Sequence, residues 1–317
     1  MAWIRIVALL WTALSLAACI AIPGARALEA GNYDQAIQEA TVEIDRGGLR
    51  RTNQAGLHQI RAAAYLFKQD YDLALNDLNR AVDLYPSSDT AYSNIGIVYL
   101  ATNRYPQAIE QFDKAIQINR ANAIYYVNRG TAYRFDRQYE RAVVDFSEAL
   151  RREPRNLNAY RGRASAYALQ RRGDPALSDA ASIIRLAPDD GRSFLFRCDI
   201  LFRISMAEKA LPDCERAVLL APNDANALST KAYVLLKLGR YSDAAADYDV
   251  SLRIEPMNAD ALFGRGTART ALGDSQAGGA DIAAAKAIDS EIAEKFDDLT
   301  RAVLRTELSL RGSVPLF

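Results

Sequence analysis

A pattern that returns every 34 residues constrains this chain more than any other feature of its sequence. Within each period, apolar residues recur at helical spacing in two stretches, and a proline near the end of most periods stops the second stretch. Self-similarity at a fixed period predicts a repeat fold, in which each unit buries its apolar face only against its neighbours. Seven blocks follow one another without insertion or deletion, starting at Ala55, Asp89, Ala123, Leu157, Gly191, Ala225 and Ala259.

The residue types at fixed positions of the block point to a known family. Positions 4, 8, 11, 20, 24, 27 and 32 of the third block are Tyr126, Gly130, Tyr133, Ala142, Phe146, Ala149 and Pro154. This pattern resembles the tetratricopeptide repeat (TPR) family over residues 55–292. The resemblance implies an all-α fold, a TPR superhelical solenoid of antiparallel helix hairpins with a concave inner surface.

The segments outside the seven blocks are interpreted as caps of the array. Within residues 28–54, the stretch from Gly31 to Ala36 matches the start of a second helix, so we expect an N-terminal half-repeat whose first helix is missing. At the other end, residues 293–317 are expected to form a capping helix and a tail. Ile292 and Phe296 begin its apolar stripe.

Residues 1–27 have the pattern of an export leader. Arg5 precedes an uncharged run, and residues 25–27 have the small-x-small pattern of a signal-peptidase site, which predicts cleavage after Ala27 and a soluble periplasmic protein. Alternatively, the sequence ending at Cys19 resembles a lipobox, and acylation of Cys19 would hold the protein at the outer-membrane face. A third alternative is an uncleaved anchor. Each alternative places the protein outside the cytoplasm and allows a membrane contact only through this segment.

A basic and an acidic residue appear together in six blocks, at positions 7 and 23. The second block has neither, with Ile95 and Gln111 in their place. We predict an ion pair inside each of the six repeats, since a half-buried cation at a helix contact needs a carboxylate partner. Common descent of the six blocks is the alternative explanation. The predicted pairs are Arg61–Asp77, Arg129–Asp145, Arg163–Asp179, Arg197–Asp213, Lys231–Asp247 and Arg265–Asp281.

Cys198 and Cys214 occupy positions 8 and 24 of the fifth block. In the TPR family these positions face each other across the hairpin, which implies either a disulfide in an oxidising compartment or two buried thiols that act as small apolar residues.

The resemblance also implies a ligand groove lined by positions 2, 5, 6, 9, 12 and 13 of the first helices. Asn94 and Asn128 share position 6, where an amide can bind the backbone of an extended peptide. Phe196 and Phe202 predict an apolar hot spot, and the alternative is that Phe194 and Phe196 pack between repeats. The groove residues carried over are Asn94, Asn128, Thr131, Arg134, Phe135, Arg161, Leu195, Phe196, Phe202 and Tyr233.

The charge composition and the absence of known motifs restrict the classes of function that the sequence predicts. Lys and Arg number 39, as do Asp and Glu, so the chain lacks the basic excess expected of a nucleic-acid binder. The chain shows no catalytic, metal-binding or cofactor motif. We therefore predict a non-catalytic scaffold or adaptor of the bacterial cell envelope that binds a protein or peptide. The alternatives are binding of peptidoglycan, service as a hydrolase accessory protein, or assembly into a homo-oligomer.

Overall fold

The computed structural model describes residues 22–294 and 296, and the regular secondary structure of these residues is α-helical. Consecutive helices pack against each other within each compact unit, which confirms the predicted all-α fold of helix hairpins. The helices are α1 (Ala25–Glu29), α2 (Tyr33–Arg46), α3 (Arg51–Phe67), α4 (Tyr71–Leu84), α5 (Asp89–Ala101), α6 (Tyr105–Ile118), α7 (Ala123–Phe135), α8 (Tyr139–Arg152), α9 (Leu157–Leu169), α10 (Gly173–Leu186), α11 (Gly191–Arg203), α12 (Ala207–Leu220), α13 (Ala225–Lys237), α14 (Tyr241–Ile254), α15 (Ala259–Ala271) and α16 (Ser275–Ile288).

The chain divides into two compact units, residues 1–166 and 167–317, with the boundary inside α9. Each unit has its own hydrophobic core. In the first unit, Phe112 and Phe146 are buried at position 24 between the helices of their hairpins. In the second unit, Cys214 and Tyr248 occupy the same position and are also buried.

The turn inside each hairpin depends on a residue with a left-handed backbone at position 15. The amide of the following residue closes the first helix by donating to the carbonyl of position 11, as Asp70 does to Tyr65 at 2.9 Å. Several of these residues are not glycine, although L-residues rarely adopt this conformation. The position-15 residues with positive φ are Gly31, Gln69, Asn103, Arg137, Arg171, Ser205, Gly239 and Gly273.

Side-chain caps start the first helices. The side chain at position 34 of one block accepts a hydrogen bond from a backbone amide in the first turn of the next block. This amide has no acceptor within its own helix. A proline lies two residues before most of these caps, so one helix ends shortly before the next begins. The caps are Ser88, Asn122, Asn156, Asp190, Asp224 and Asn258.

The N-terminal half-repeat differs from the expectation. We expected it to begin at residue 28 without a first helix, but α1 precedes α2 and packs on it. Ala25, Ala27 and Leu28 of α1 are buried. At the other end, Ile292 and Phe296 are buried in the core of the second unit. The rest of the predicted capping helix and most of the predicted leader, including Cys19, lie outside the described residues.

The last hairpin shows how closely its two helices approach. A Cβ atom added at Gly266 in α15 would lie 2.7 Å from the carbonyl oxygen of Gly278 in α16 and 3.1 Å from the Cβ of Asp281. Since a backbone oxygen cannot turn away as a side chain can, this contact excludes a methyl group. Gly278 thus permits a close approach at position 20, where other blocks have alanine.

We expect Gly266→Ala to destabilise this hairpin by about 1–3 kcal/mol through overpacking. The matched control is Gly279→Ala in the same hairpin, where nothing lies within 4 Å of the added Cβ. This control should stabilise the protein by roughly 0.5–1 kcal/mol, because alanine favours a helix over glycine. Thermal unfolding of the full chain measures both changes, and a shift of the same sign in both variants would contradict the packing argument.

Candidate partner-binding surface

The structure brings the partners of five predicted ion pairs together, and in most of them the contact is bidentate. Arg129 in α7 donates through Nε and Nη2 to the two carboxylate oxygens of Asp145 in α8, at 2.8 and 2.7 Å. The planar guanidinium matches the carboxylate in this arrangement, which makes the pair strong. The other pairs formed are Arg61–Asp77, Arg197–Asp213, Lys231–Asp247 and Arg265–Asp281. Arg163 and Asp179 lie in different units, and their pairing stays a prediction.

The same arginines also reach the preceding repeat, which sequence reasoning missed. Nη1 of Arg129 donates to Asp113 Oδ1 at 2.5 Å, and Nη1 of Arg265 donates to Asp249 Oδ1 at 2.7 Å. Both acceptors occupy position 25 of the previous block, 16 residues before the arginine. One guanidinium therefore links three helices. Thr41 accepts from Arg61 and Ser147 accepts from Arg163 in the same way.

The carboxylates of these pairs have different electrostatic environments. Burial raises the pKa of Asp77, but hydrogen bonds from Arg61 and His58 outweigh it, so the pKa lies below its usual value. For Asp145, burial outweighs the hydrogen bonds from Arg129, and the pKa lies above its usual value. As the pH falls, the Arg129–Asp145 pair is therefore neutralised before the Arg61–Asp77 pair.

Cys198 and Cys214 lie where a disulfide requires them. Both side chains are fully buried between α11 and α12. Their Cα atoms are 5.5 Å apart and their sulfur atoms are in bonding contact. The separation falls in the range of protein disulfides, so the geometry of the hairpin accommodates the bond.

The two asparagines expected to bind a peptide are not accessible. Asn94 is 5% exposed and Asn128 is 0% exposed. Oδ1 of Asn94 and both polar side-chain atoms of Asn128 are buried without a hydrogen-bond partner. Position 6 is therefore covered in these repeats, and the sequence-based expectation of surface amides there was wrong.

The accessible part of the predicted groove in the first unit lies near the end of α7. Phe135 is 45% exposed, and its ring stacks on Tyr105 of the preceding repeat with centroids 5.7 Å apart. The guanidinium of Arg134 lies 4.3 Å from the centre of the Phe135 ring. We call these three residues the Phe135 cluster. Thr131 and Arg161 are half-buried.

In the second unit, Phe202 does not form the accessible patch that we expected. It is 6% exposed and packs against Tyr233, with ring centroids 5.0 Å apart. The ring of Phe296 covers Tyr233 edge-on at 4.9 Å and also contacts Phe263. Phe202 therefore packs between repeats instead of forming an accessible hot spot. Leu195 and Phe196 are half-buried.

We expect Asp145→Ala to lower the free energy of unfolding by about 3 kcal/mol, because Arg129 loses its buried carboxylate. Asp113 provides the matched comparison, since its side chain is 41% exposed and bonds the same guanidinium. Asp113→Ala should cost less than about 1 kcal/mol, as solvent screens its interaction. Urea unfolding of the full chain measures both changes. An unchanged midpoint for Asp145→Ala would contradict a structural role for the pair.

In protein isolated under oxidising conditions, we expect Cys198 and Cys214 to resist alkylation until a reductant is added. Peptide mapping by mass spectrometry should then find the two cysteines in one cross-linked species. The double variant Cys198→Ala/Cys214→Ala should unfold more easily by roughly 2–4 kcal/mol, the usual contribution of a disulfide. Free thiols at both positions in unfolded, unreduced protein would show that the cysteines act only as buried apolar residues.

Comparisons with known proteins agree with this architecture. Profiles of the tetratricopeptide repeat match residues 53–121, 127–191, 199–256 and 229–291. No curated protein sequence gives a match. A tetratricopeptide repeat protein from Parabacteroides merdae is similar with a TM-score of 0.63 and 17% identity, over 79% of this chain and 98% of that chain. Yeast Tom70 is similar with a TM-score of 0.63 and 18% identity, over 87% of this chain and 59% of Tom70.

At these identities the solved structures establish the fold alone. TPR proteins are in general non-catalytic scaffolds for protein–protein interaction. Within residues 22–294 and 296, no three His, Cys, Asp or Glu side chains are grouped so as to hold a metal ion. In the same residues, no helix has the length and apolar character needed to cross a membrane. The profile matches extend over most of the chain and coincide with its 34-residue blocks, so the chain belongs to the tetratricopeptide repeat family.

Proposed function

We propose that this protein is a non-catalytic adaptor of the bacterial cell envelope, which binds a segment of a partner protein at the Phe135 cluster. Family membership supports the adaptor role, because the repeat units are used for binding rather than for catalysis. The leader pattern in residues 1–27 supports export, to the periplasm or, if Cys19 is acylated, to the outer-membrane face. Neither argument depends on the other, so the binding role and the location can be tested separately.

The observation that carries the binding site is the exposed, preorganised ring of Phe135. Tyr105 supports one face of the ring and Arg134 holds its guanidinium close to the ring. A ring fixed in this way loses little side-chain freedom when a partner binds. Aromatic residues and arginine are also the residue types that contribute most to binding energy at protein interfaces.

The cluster favours a partner segment that presents an apolar side chain. This side chain would pack on the exposed part of the Phe135 ring. The buried ion pairs take no part in this recognition, because their charges are already matched within the repeats. Binding should therefore depend on a few residues rather than on the net charge of the protein.

We expect Phe135→Ala to abolish capture of the partner from an envelope extract by the full chain. The matched control is Val144→Ala in the same repeat, where the side chain is 66% exposed on the second helix and outside the predicted groove. Phe135→Ala also loses its stack on Tyr105, which costs about 0.5–1.5 kcal/mol, so both variants must first be shown to be folded by circular dichroism.

Each result of this comparison has a distinct meaning. A partner held by the wild type and by Val144→Ala but not by Phe135→Ala supports the proposed site. If all three proteins retain the partner equally, the binding site lies outside the Phe135 cluster. Sedimentation of the wild type with purified peptidoglycan, without a protein partner, would favour the envelope polymer as ligand. A homo-oligomer at working concentration, seen by light scattering, would favour self-assembly.

A further inference from the structure

We infer that residues 22–28 belong to the folded repeat array, and that an export leader is cut on the N-terminal side of Ile22 rather than after Ala27. The inference depends on the proposed export only in assuming that a leader is cleaved at all. The place of residues 22–28 in the fold rests on their contacts alone.

The first evidence is the register of these residues in the repeat. If Tyr33 is aligned with the first residue of the other second helices, Gly24 occupies position 8 and Ala27 occupies position 11. Gly31 occupies position 15 and has the positive φ found there in every block. The amide of Asn32 donates to the carbonyl of Ala27 at 2.8 Å, the bond that closes the first helix of each repeat. Residues 24–31 are therefore the end of a first helix.

The second evidence is the contact between this helix end and α2. A Cβ atom added at Gly24 would lie 2.7 Å from the carbonyl oxygen of Ala36, the same distance as between Gly266 and Gly278 in the last repeat. The amide of Gly24 donates to Glu39 Oε2 at 2.9 Å. Glu39 occupies position 23, where the other repeats have the aspartate of the ion pair. The half-repeat thus has the close helix approach of a complete repeat, and its position-23 carboxylate binds the first helix through a backbone amide instead of a cation at position 7.

The third evidence is burial. Ala25, Ala27 and Leu28 form one core cluster with Ile60 and Ala64 of α3. Ile22 also packs here, since its Cδ1 would lie 3.1 Å from a Cβ added at Gly56. Without residues 22–27, α3 would expose this apolar face to water. The terminal repeat of an array needs a cap that covers such a face.

Cleavage after Ala27 would also place a charge in the core. Leu28 would become the N-terminal residue, and it is only 9% exposed. Its new ammonium group would have to leave this cluster, because an unpaired charge is costly to bury. The amide of Asn32 would lose its acceptor as well. A cut before Ile22, such as one at the predicted lipobox, leaves all of these contacts in place.

The test is to express the full chain in a bacterium that exports it and to determine the N-terminus of the mature protein by mass spectrometry. The same is done for Gly24→Ala, which adds a Cβ against the Ala36 carbonyl at a φ of +85°. The matched control is Gly31→Ala in the same half-repeat, which has a φ of +77° and only the Tyr33 hydroxyl oxygen, at 4.0 Å, near the added Cβ. The control separates the contact with Ala36 from backbone strain.

We expect a mature N-terminus at or before Ile22, and a mature Gly24→Ala protein that is one methylene group heavier than the wild type and unfolds at a lower temperature than Gly31→Ala. A mature protein that starts at Leu28, identical for the wild type and Gly24→Ala, would overturn the inference. Uncleaved protein in the cytoplasm, with Gly24→Ala destabilised, would support the place of residues 22–28 in the fold and contradict the proposed export.

Discussion

The arginine at position 7, in the repeats that have one, makes the polar interaction that joins the helices of a repeat to each other and to the preceding repeat. A repeat fold has no contacts between distant parts of the sequence, so its stability is the sum of interactions inside a repeat and between neighbours. Arg129 and Arg265 supply both kinds, because each binds the aspartate of its own repeat and an aspartate of the preceding one. Lysine cannot reproduce this fork of donors, and Lys231 bonds the aspartate of its own repeat through a single ammonium group.

Coupling between neighbouring repeats consequently varies along the chain with the residue at position 25. Asp113 and Asp249 give charge-assisted bonds, whereas Thr41 and Ser147 offer hydroxyl groups. Ala181, the residue at position 25 before Arg197, has no side-chain acceptor at all. Since a neutral hydrogen bond is weaker than a charge-assisted one, the junction before Arg197 depends more on apolar packing than the junctions before Arg129 and Arg265 do.

The repeat pattern was sufficient to predict the hairpins, their length and five of the ion pairs between their helices, because these features recur at fixed positions. It could not reveal the second partner of the arginines, since the position-25 residue that precedes an arginine is aspartate, threonine, serine or alanine and shows no pattern. The helix α1 was missed for another reason. Small residues such as Ala25 and Ala27 fit the pattern of a cleavage site and the packing of a first helix equally well, so the sequence could not show that both are buried in the structure.

Exposure was the property that position in the repeat predicted least well. Asn128 and Phe202 both occupy groove positions, yet each is buried by its surroundings, and for Phe202 the covering residue is Tyr233 of the next repeat. Phe135 remains accessible although it stacks on Tyr105. A partner-binding surface on such an array is therefore what remains after neighbouring repeats have packed. The charges of the ion pairs are matched inside the array, so the side chains that remain exposed differ from one repeat to the next without disturbing those pairs.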